Sequence, residues 1–342
     1  MKLGSISRLP RRKSPRYLAL VGLGVAVLIS IGCWEALRGA FAAGSGQTIA
    51  FIAQTTGNEL WEAAHTGARR AASRDGFQIY WNAPTRSDDV ERQIELIETA
   101  IRQKDAGLVI APAQYLALIS PLREALARHI PVAVVGSSVP IPPGNGLVFV
   151  LNDDASMGQM AARRTGALLH GSGSIALLGI NPNLTGNWIR CQSFEATLAI
   201  EFPHISITER RTSSPTFEEA AENAEQILLR NPRLDAIVSL TSTDSEGALT
   251  ALRLLHRTRS VRLLGCDQEL DLMEGIREGE VDSIIAENTY SIGQRAEEAI
   301  AALRKGHPFE PTLLVPPLLV TRDNIDRPEI QQILSADSRG AQ

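Results

Sequence analysis

From Thr48 onward the chain alternates short, continuously apolar runs with longer segments whose apolar residues recur every three or four positions. "TIAFIA" (Thr48–Ala53) is followed by "LWEAAHTGARRAASR" (Leu60–Arg74), where Leu60, Ala64, Ala68 and Ala71 share one helical face. "FQIYW" (Phe77–Trp81) is followed by "VERQIELIETAIRQ" (Val90–Gln103), with Ile94, Ile97 and Ile101 at helical spacing. "GLVIA" (Gly107–Ala111), "LALISPLREALAR" (Leu116–Arg128) and "VAVV" (Val132–Val135) repeat the pattern. A strand that is apolar throughout is buried on both faces, which a parallel sheet covered by helices provides. Helix-length crossovers are what parallel neighbours require, and they run right-handed. The alternation therefore predicts an α/β fold built on an open, doubly wound parallel sheet.

After the turn "VPIPPGNG" (Val139–Gly146) the alternation restarts. "LVFVLN" (Leu147–Asn152) leads into a helix beginning near Ser156, and "SIALLG", "ISITERR", "AIVSL", "VRLLGC" and "SIIAE" read as later strands with helices between them. A last helix, Ser291–Lys305, precedes "TLLVPPLLVT" (Thr312–Thr321), which reads as one final strand; the tail after Asp326 is polar and reads as frayed. A chain of 342 residues is long enough for two cores.

Charge is divided unevenly. Residues 1–46 hold seven Lys/Arg and one acid, whereas residues 47–342 hold 27 bases and 37 acids. An acidic body lacks the clustered Lys/Arg that phosphate contacts need, so nucleic acid is not an expected partner. The basic flank (Lys2, Arg8, Arg11, Arg12, Lys13, Arg16) stands before the uncharged run Tyr17–Trp34, the pattern of an export signal or signal anchor. Three fates stay open for it: cleavage after "AFA" (Ala40–Ala42), lipidation at Cys33, or retention as a membrane anchor. Two further cysteines, Cys191 and Cys266, read as isolated buried thiols, with a disulfide between them left open.

Common catalytic signatures are missing. There is no GxxxxGK[ST], no GxSxG, no GxGxxG after a strand, and the six histidines show no metal-ligand spacing. No nucleophile–base pair is identifiable, so neither an enzyme, a metal nor a cofactor is expected.

The order of elements, together with several short motifs, resembles the type I periplasmic sugar-binding proteins, nearest the ribose-binding branch, over roughly Thr48 to Thr321. In "AQTTGNELWEAAHTGARRAA" Asn58 matches the family's binding asparagine and Trp61 one of its aromatics, with Leu60 in place of the other. "IPVAVVGSS" matches the strand that in sugar binders ends in Asp-Arg; here Gly136-Ser137 stand there, and Ala111 lies where some members are polar. "NDDASMGQMAA" (from Asn152) matches the crossover into the second lobe, and Arg190 in "GNWIRCQSF" the arginine that reaches the ligand. Phe217 matches a cleft aromatic, Thr241 the leading Asn of the motif in "TSTDSEGALTAL", Asp267 in "GCDQE" the ligand-binding Asp, and Glu287 a hydrogen-bonding Gln.

The resemblance implies two doubly wound lobes joined by a three-stranded hinge. The first lobe would be residues 48–151 plus 288–310, the second 152–287 plus 311–326, with a polar tail at 327–342. It implies a monomeric periplasmic protein that captures a small polar ligand, a sugar, for the permease of an ABC importer. Ligand contacts are expected from Asn58, Trp61, Ser137, Asn152, Trp188, Arg190, Phe217, Thr241, Asp267 and Glu287. Without the resemblance, Asp267 reads as an N-cap and Asn58 as the cap of the Leu60 helix. The alternative function is a membrane-anchored ligand-binding partner of a sensor kinase or chemoreceptor.

Overall fold

The computed structural model describes residues 47–56, 59–86 and 88–334. The apolar run Tyr17–Trp34, Cys33 and Asn58 lie outside the described residues, and with them every expectation placed there.

Two six-stranded sheets carry the fold. The first holds β1 (Thr48–Ile52), β2 (Gln78–Asn82), β3 (Gly107–Ile110), β4 (Val132–Gly136), β5 (Leu147–Asn152) and β11 (Thr312–Val315), ordered β11-β5-β4-β3-β1-β2 with every pair parallel. The second holds β6 (Ser172–Ile180), β7 (His204–Thr212), β8 (Ala236–Ser239), β9 (Arg262–Cys266), β10 (Ser283–Ala286) and β12 (Leu318–Thr321), ordered β12-β10-β9-β8-β6-β7. Only its edge strand β12 runs antiparallel, against β10.

Pleating assigns the apolar runs to two faces. In β1, Ile49 and Phe51 pack with Ala64 and Ala68 of α1 (Glu59–Asp75) and with Ile292, Ala296 and Ile300 of α9 (Thr289–Arg304). Ala50 and Ile52 face the other way, onto Ile97 and Ile101 of α2 (Val90–Gln103) and Leu122 of α3 (Ile119–Ala127). The second sheet is covered likewise. On one side lie α4 (Asp154–Leu168) and α5 (Thr185–Glu201), with Met157 and Phe194 against Val238 and Leu264. On the other lie α6 (Phe217–Arg230), α7 (Ser242–Leu254) and α8 (Leu270–Glu278), with Ile227, Leu249 and Ile276 against Ile237 and Leu263. Each fully buried Leu, Ile or Phe contributes roughly 1.5–3 kcal/mol by leaving water.

Three sequence expectations need correction. "TLLVPPLLVT" is two strands in two different sheets: β11 extends the first sheet beside β5, and β12 the second beside β10. Pro316 and Pro317 separate them, because two successive residues without an N–H cannot continue a ladder. The third link between the sheets thus lies at the proline pair and not near Glu310. The tail is not simply frayed either: Pro328–Leu334 form α10, which buries Leu334 in the second core and sends Gln332 Nε2 to Tyr290 Oη at 2.9 Å. Helix α9 also starts earlier than its apolar pattern suggests, because the Asn288 side chain accepts the Ser291 N–H at 3.1 Å as an N-cap.

Strand order reverses between β1 and β3 in the first sheet and between β6 and β8 in the second. In open α/β sheets ligands bind beyond the carboxyl ends of strands at such points.

Candidate ligand-binding site

Past the carboxyl ends of β8, β9 and β10 the second sheet gathers a buried ionic cluster. At its centre is Arg190 of α5, 7% exposed. Its Nε donates to Asp154 Oδ1 at 3.2 Å, Nη2 to Asp154 Oδ1 at 2.8 Å and to Glu287 Oε1 at 3.0 Å, and Nη1 to the Leu240 carbonyl at 3.1 Å and Cys266 Sγ at 2.9 Å. A guanidinium carries five N–H donors, so every one is engaged within the protein. Glycines make this convergence possible. A Cβ at Gly158 of α4 would strike the Arg190 carbonyl, and one at Gly186 would strike the Asp154 carboxylate.

Asp267 follows β9 in the left-handed region, with φ of 63°. Asp tolerates that conformation better than most residues, and the backbone N–H is held by the Ile285 carbonyl at 3.1 Å. Asp267 is not an N-cap: helix α8 is preceded by Glu269. The turn delivers the carboxylate beside Cys266 and Glu287, where Oδ1 is buried with no hydrogen-bond partner. Burial pushes the Asp267 carboxyl above the usual range, against the Arg190 charge and hydrogen bonds from the Cys266 thiol and the Glu287 backbone. Burial and then the Asp267 charge raise Glu287, while Arg190 and an Asn152 side-chain hydrogen bond oppose them. Asp154 is raised by burial too, against Arg190. Cys266 is pushed well up by burial and stays a thiol. It forms no disulfide with Cys191; both are free and buried.

The first sheet presents a different chemistry. Beyond β4, Gly136 takes φ of 74°, and a Cβ there would stand 3.1 Å from Trp61 Cη2, so the half-buried Trp61 ring lies over this strand end. Ser137 beside it is exposed. At the β1/β3 reversal Gln93 of α2, fully buried, donates to the Ala53 and Ala111 carbonyls at 3.0 and 2.8 Å and accepts the Ala113 N–H at 3.0 Å. Gln54 Nε2 closes on the Pro112 carbonyl at 2.6 Å. These strand-end polar groups are thereby satisfied within the sheet.

The remaining expected residues divide. Asn152 ends β5 and reaches Glu287. Thr241 N-caps α7, its hydroxyl donating to Asp244 Oδ2 at 2.6 Å. Trp188 near the start of α5 is 39% exposed and Phe217, opening α6, 42% exposed, so neither is a core residue. Asp154 and Gln93 were missed. Asp154 reads in sequence as the first-turn acid of a helix capped by Asp153, and Gln93 as one polar position in an amphipathic helix. Among the described residues no group of three or more His, Cys, Asp or Glu side chains is placed to hold a metal ion.

A family profile described as "Periplasmic binding protein domain" matches residues 49–308. The chain is 25% identical over 259 residues to a xylitol-binding protein of Mycolicibacterium smegmatis, covering 75% of this chain and 72% of the relative. It is 24% identical over 258 residues to a D-apiose import binding protein of Actinobacillus succinogenes, covering 75% and 81%. A sugar-binding protein of a Bacillus halodurans sugar ABC transporter has the same fold, with a TM-score of 0.77 at 22% identity over 82% of this chain and 99% of that one. So does an arabinose-binding protein from Geobacillus stearothermophilus, with a TM-score of 0.76 at 20% identity, covering 82% and 98%.

Proposed function

Because this chain belongs to the periplasmic binding protein domain family, we propose that it captures a small polyhydroxylated molecule, a sugar or polyol, between its two lobes and releases it unchanged to an ABC importer. The observation that carries the reading is the carboxylate cluster beyond β9 and β10, where the buried Asp267 Oδ1 lacks a partner and would accept a ligand hydroxyl. Relatives named for import support delivery to a permease over a role beside a sensor kinase.

In this reading the protein works as a monomer in the periplasm and performs no covalent chemistry. Asp267, Glu287 and Asn152 accept hydrogen bonds from ligand hydroxyls, and Ser137 approaches from the first lobe. Trp61, Trp188 and Phe217 cover the apolar face of the ring, for which an indole suits a half-polar surface. Arg190 positions the acids, since its donors are already engaged; Thr241 fixes the start of α7. The chain passes between the sheets after Asn152, after Ala286 and at Pro316–Pro317, and these crossings form the hinge about which the lobes close. Closure desolvates the ligand and is stabilised by the ligand's preference for the closed state.

Melting of the protein measured against a panel of pentoses, hexoses and polyols tests this. A true ligand at a hundredfold excess over Kd stabilises by about 2.7 kcal/mol. Asp267→Asn keeps a residue suited to the left-handed turn and is expected to lower affinity at least tenfold. A panel in which no member shifts the melting point would sink the reading.

A further inference from the structure

Three carboxylates converge on a single guanidinium in the second-lobe site: Asp154 and Glu287 bond Arg190 directly, and Asp267 lies within its field. With all groups ionised the cluster carries a net charge of −2. Asp153 and Glu269 add negative charge at its edge. Among the described residues of the opposite lobe, 53–56, 111–114 and 137–138, which follow β1, β3 and β4, are all uncharged, and Arg86 past β2 is paired with Asp88.

Buried charges persist only when paired. Closing the lobes over a neutral sugar would leave two carboxylates without a counter-charge in a site emptied of water, and an acidic sugar would worsen the imbalance. Arg190 has no donor left to give a ligand, and the cluster's own unpartnered buried atom is an acceptor, Asp267 Oδ1, beside a Gln268 side-chain amide unpartnered at both Oε1 and Nε2. An orphaned carboxylate oxygen in a cluster with excess negative charge calls for a ligand that donates to it and is positively charged. An ammonium has three N–H donors and no acceptor, and its bonds to carboxylate are charge-assisted. The carboxylates are not arranged to hold a metal ion.

Resting on the sugar-binding reading, we infer that the ligand carries a protonated amine: it is an amino sugar or amino polyol whose ammonium group sits against Asp267 and Glu287. Burial raises all three carboxyls, so binding of such a ligand tightens as pH rises and they ionise, until the ligand's own ammonium loses its proton.

Titration calorimetry on the full chain with matched triplets tests this: D-glucosamine, D-glucose and D-glucuronate; the galactose equivalents; and an inosamine beside myo-inositol. The ammonium member is expected to bind at least tenfold tighter than its neutral partner, and the acids not at all. Glu287→Gln, which removes one charge, is expected to narrow that ratio severalfold. A neutral sugar binding as tightly as its amine, or tighter, overturns the inference and leaves the sugar-binding reading intact. No binding by any member, with an empty melting panel, overturns both. Should Glu287→Gln fail to fold, the native comparison still decides.

Discussion

The Arg190 guanidinium meets the Glu287 carboxylate at 3.0 Å, tying helix α5 to the turn after β10 across 97 residues of chain. Since the same Nη2 also holds Asp154, this one side chain joins the start of α4, the middle of α5 and the end of β10.

Arg190→Ala is therefore expected to cost about 3–5 kcal/mol of folding stability, the range for removing one partner of a buried ionic group. Urea unfolding at neutral pH measures it. The penalty shrinks in acid. Asp154, Asp267 and Glu287 have folded-state pKa values raised by burial, so the folded protein binds protons more readily than the unfolded chain. Stability then declines as pH rises through the folded values, and more steeply without the arginine. A variant equally destabilised at pH 4 and pH 8 would contradict this account.

A second buried acid gives a separate pH signal. Glu297 of α9 is fully buried, neither carboxylate oxygen has a partner, and burial, with Asp75 and Glu298 nearby, raises it to about 7. Lys305 and Arg74 only partly oppose this. A raised carboxyl favours the folded state below the unfolded pKa and loses that advantage as pH climbs toward the folded value. Glu297→Gln is expected to match the parent near pH 4 and to be more stable by up to about 3 kcal/mol above pH 7. Denaturant melts at the two pH values decide it.

Gly136 answers to two constraints at once, a positive φ of 74° and the Trp61 ring 3.1 Å from where a Cβ would stand. Gly136→Ala is expected to lose roughly 1–2 kcal/mol to backbone strain alone, and more from displacing the indole. In a Trp61→Ala background the second part disappears and the first remains, which a double-mutant cycle reads as coupling. Full additivity would show that ring and glycine are independent.

Much of the architecture was legible in the sequence because a strand buried on both faces writes itself as an unbroken apolar run. "TIAFI" and "AIVS" needed no neighbours to be read. Which sheet a strand joins is not written locally, and so "TLLV" and "LLVT" read as one strand although they pair with strands far apart in the chain. The site was legible in part. Asp267 stood out because it follows a strand and a glycine, and Glu287 through its place after β10. Asp154 did not, since a second acid at a helix start is ordinary chemistry for the helix dipole. That all five Arg190 donors are engaged depends on two helices and three strand ends meeting, which no spacing along the chain reveals.

The proline pair between β11 and β12 sets how the two sheets can swing. It is the shortest strand-to-strand link between them, only Pro316 and Pro317. Each ring locks its own φ, so the link turns about two ψ angles where ordinary residues would supply four torsions. Neither residue has an N–H to surrender. Such a strut can flex without breaking a backbone donor bond of its own, yet resists wringing, and it narrows the relative motion of the sheets toward a single hinge-like path.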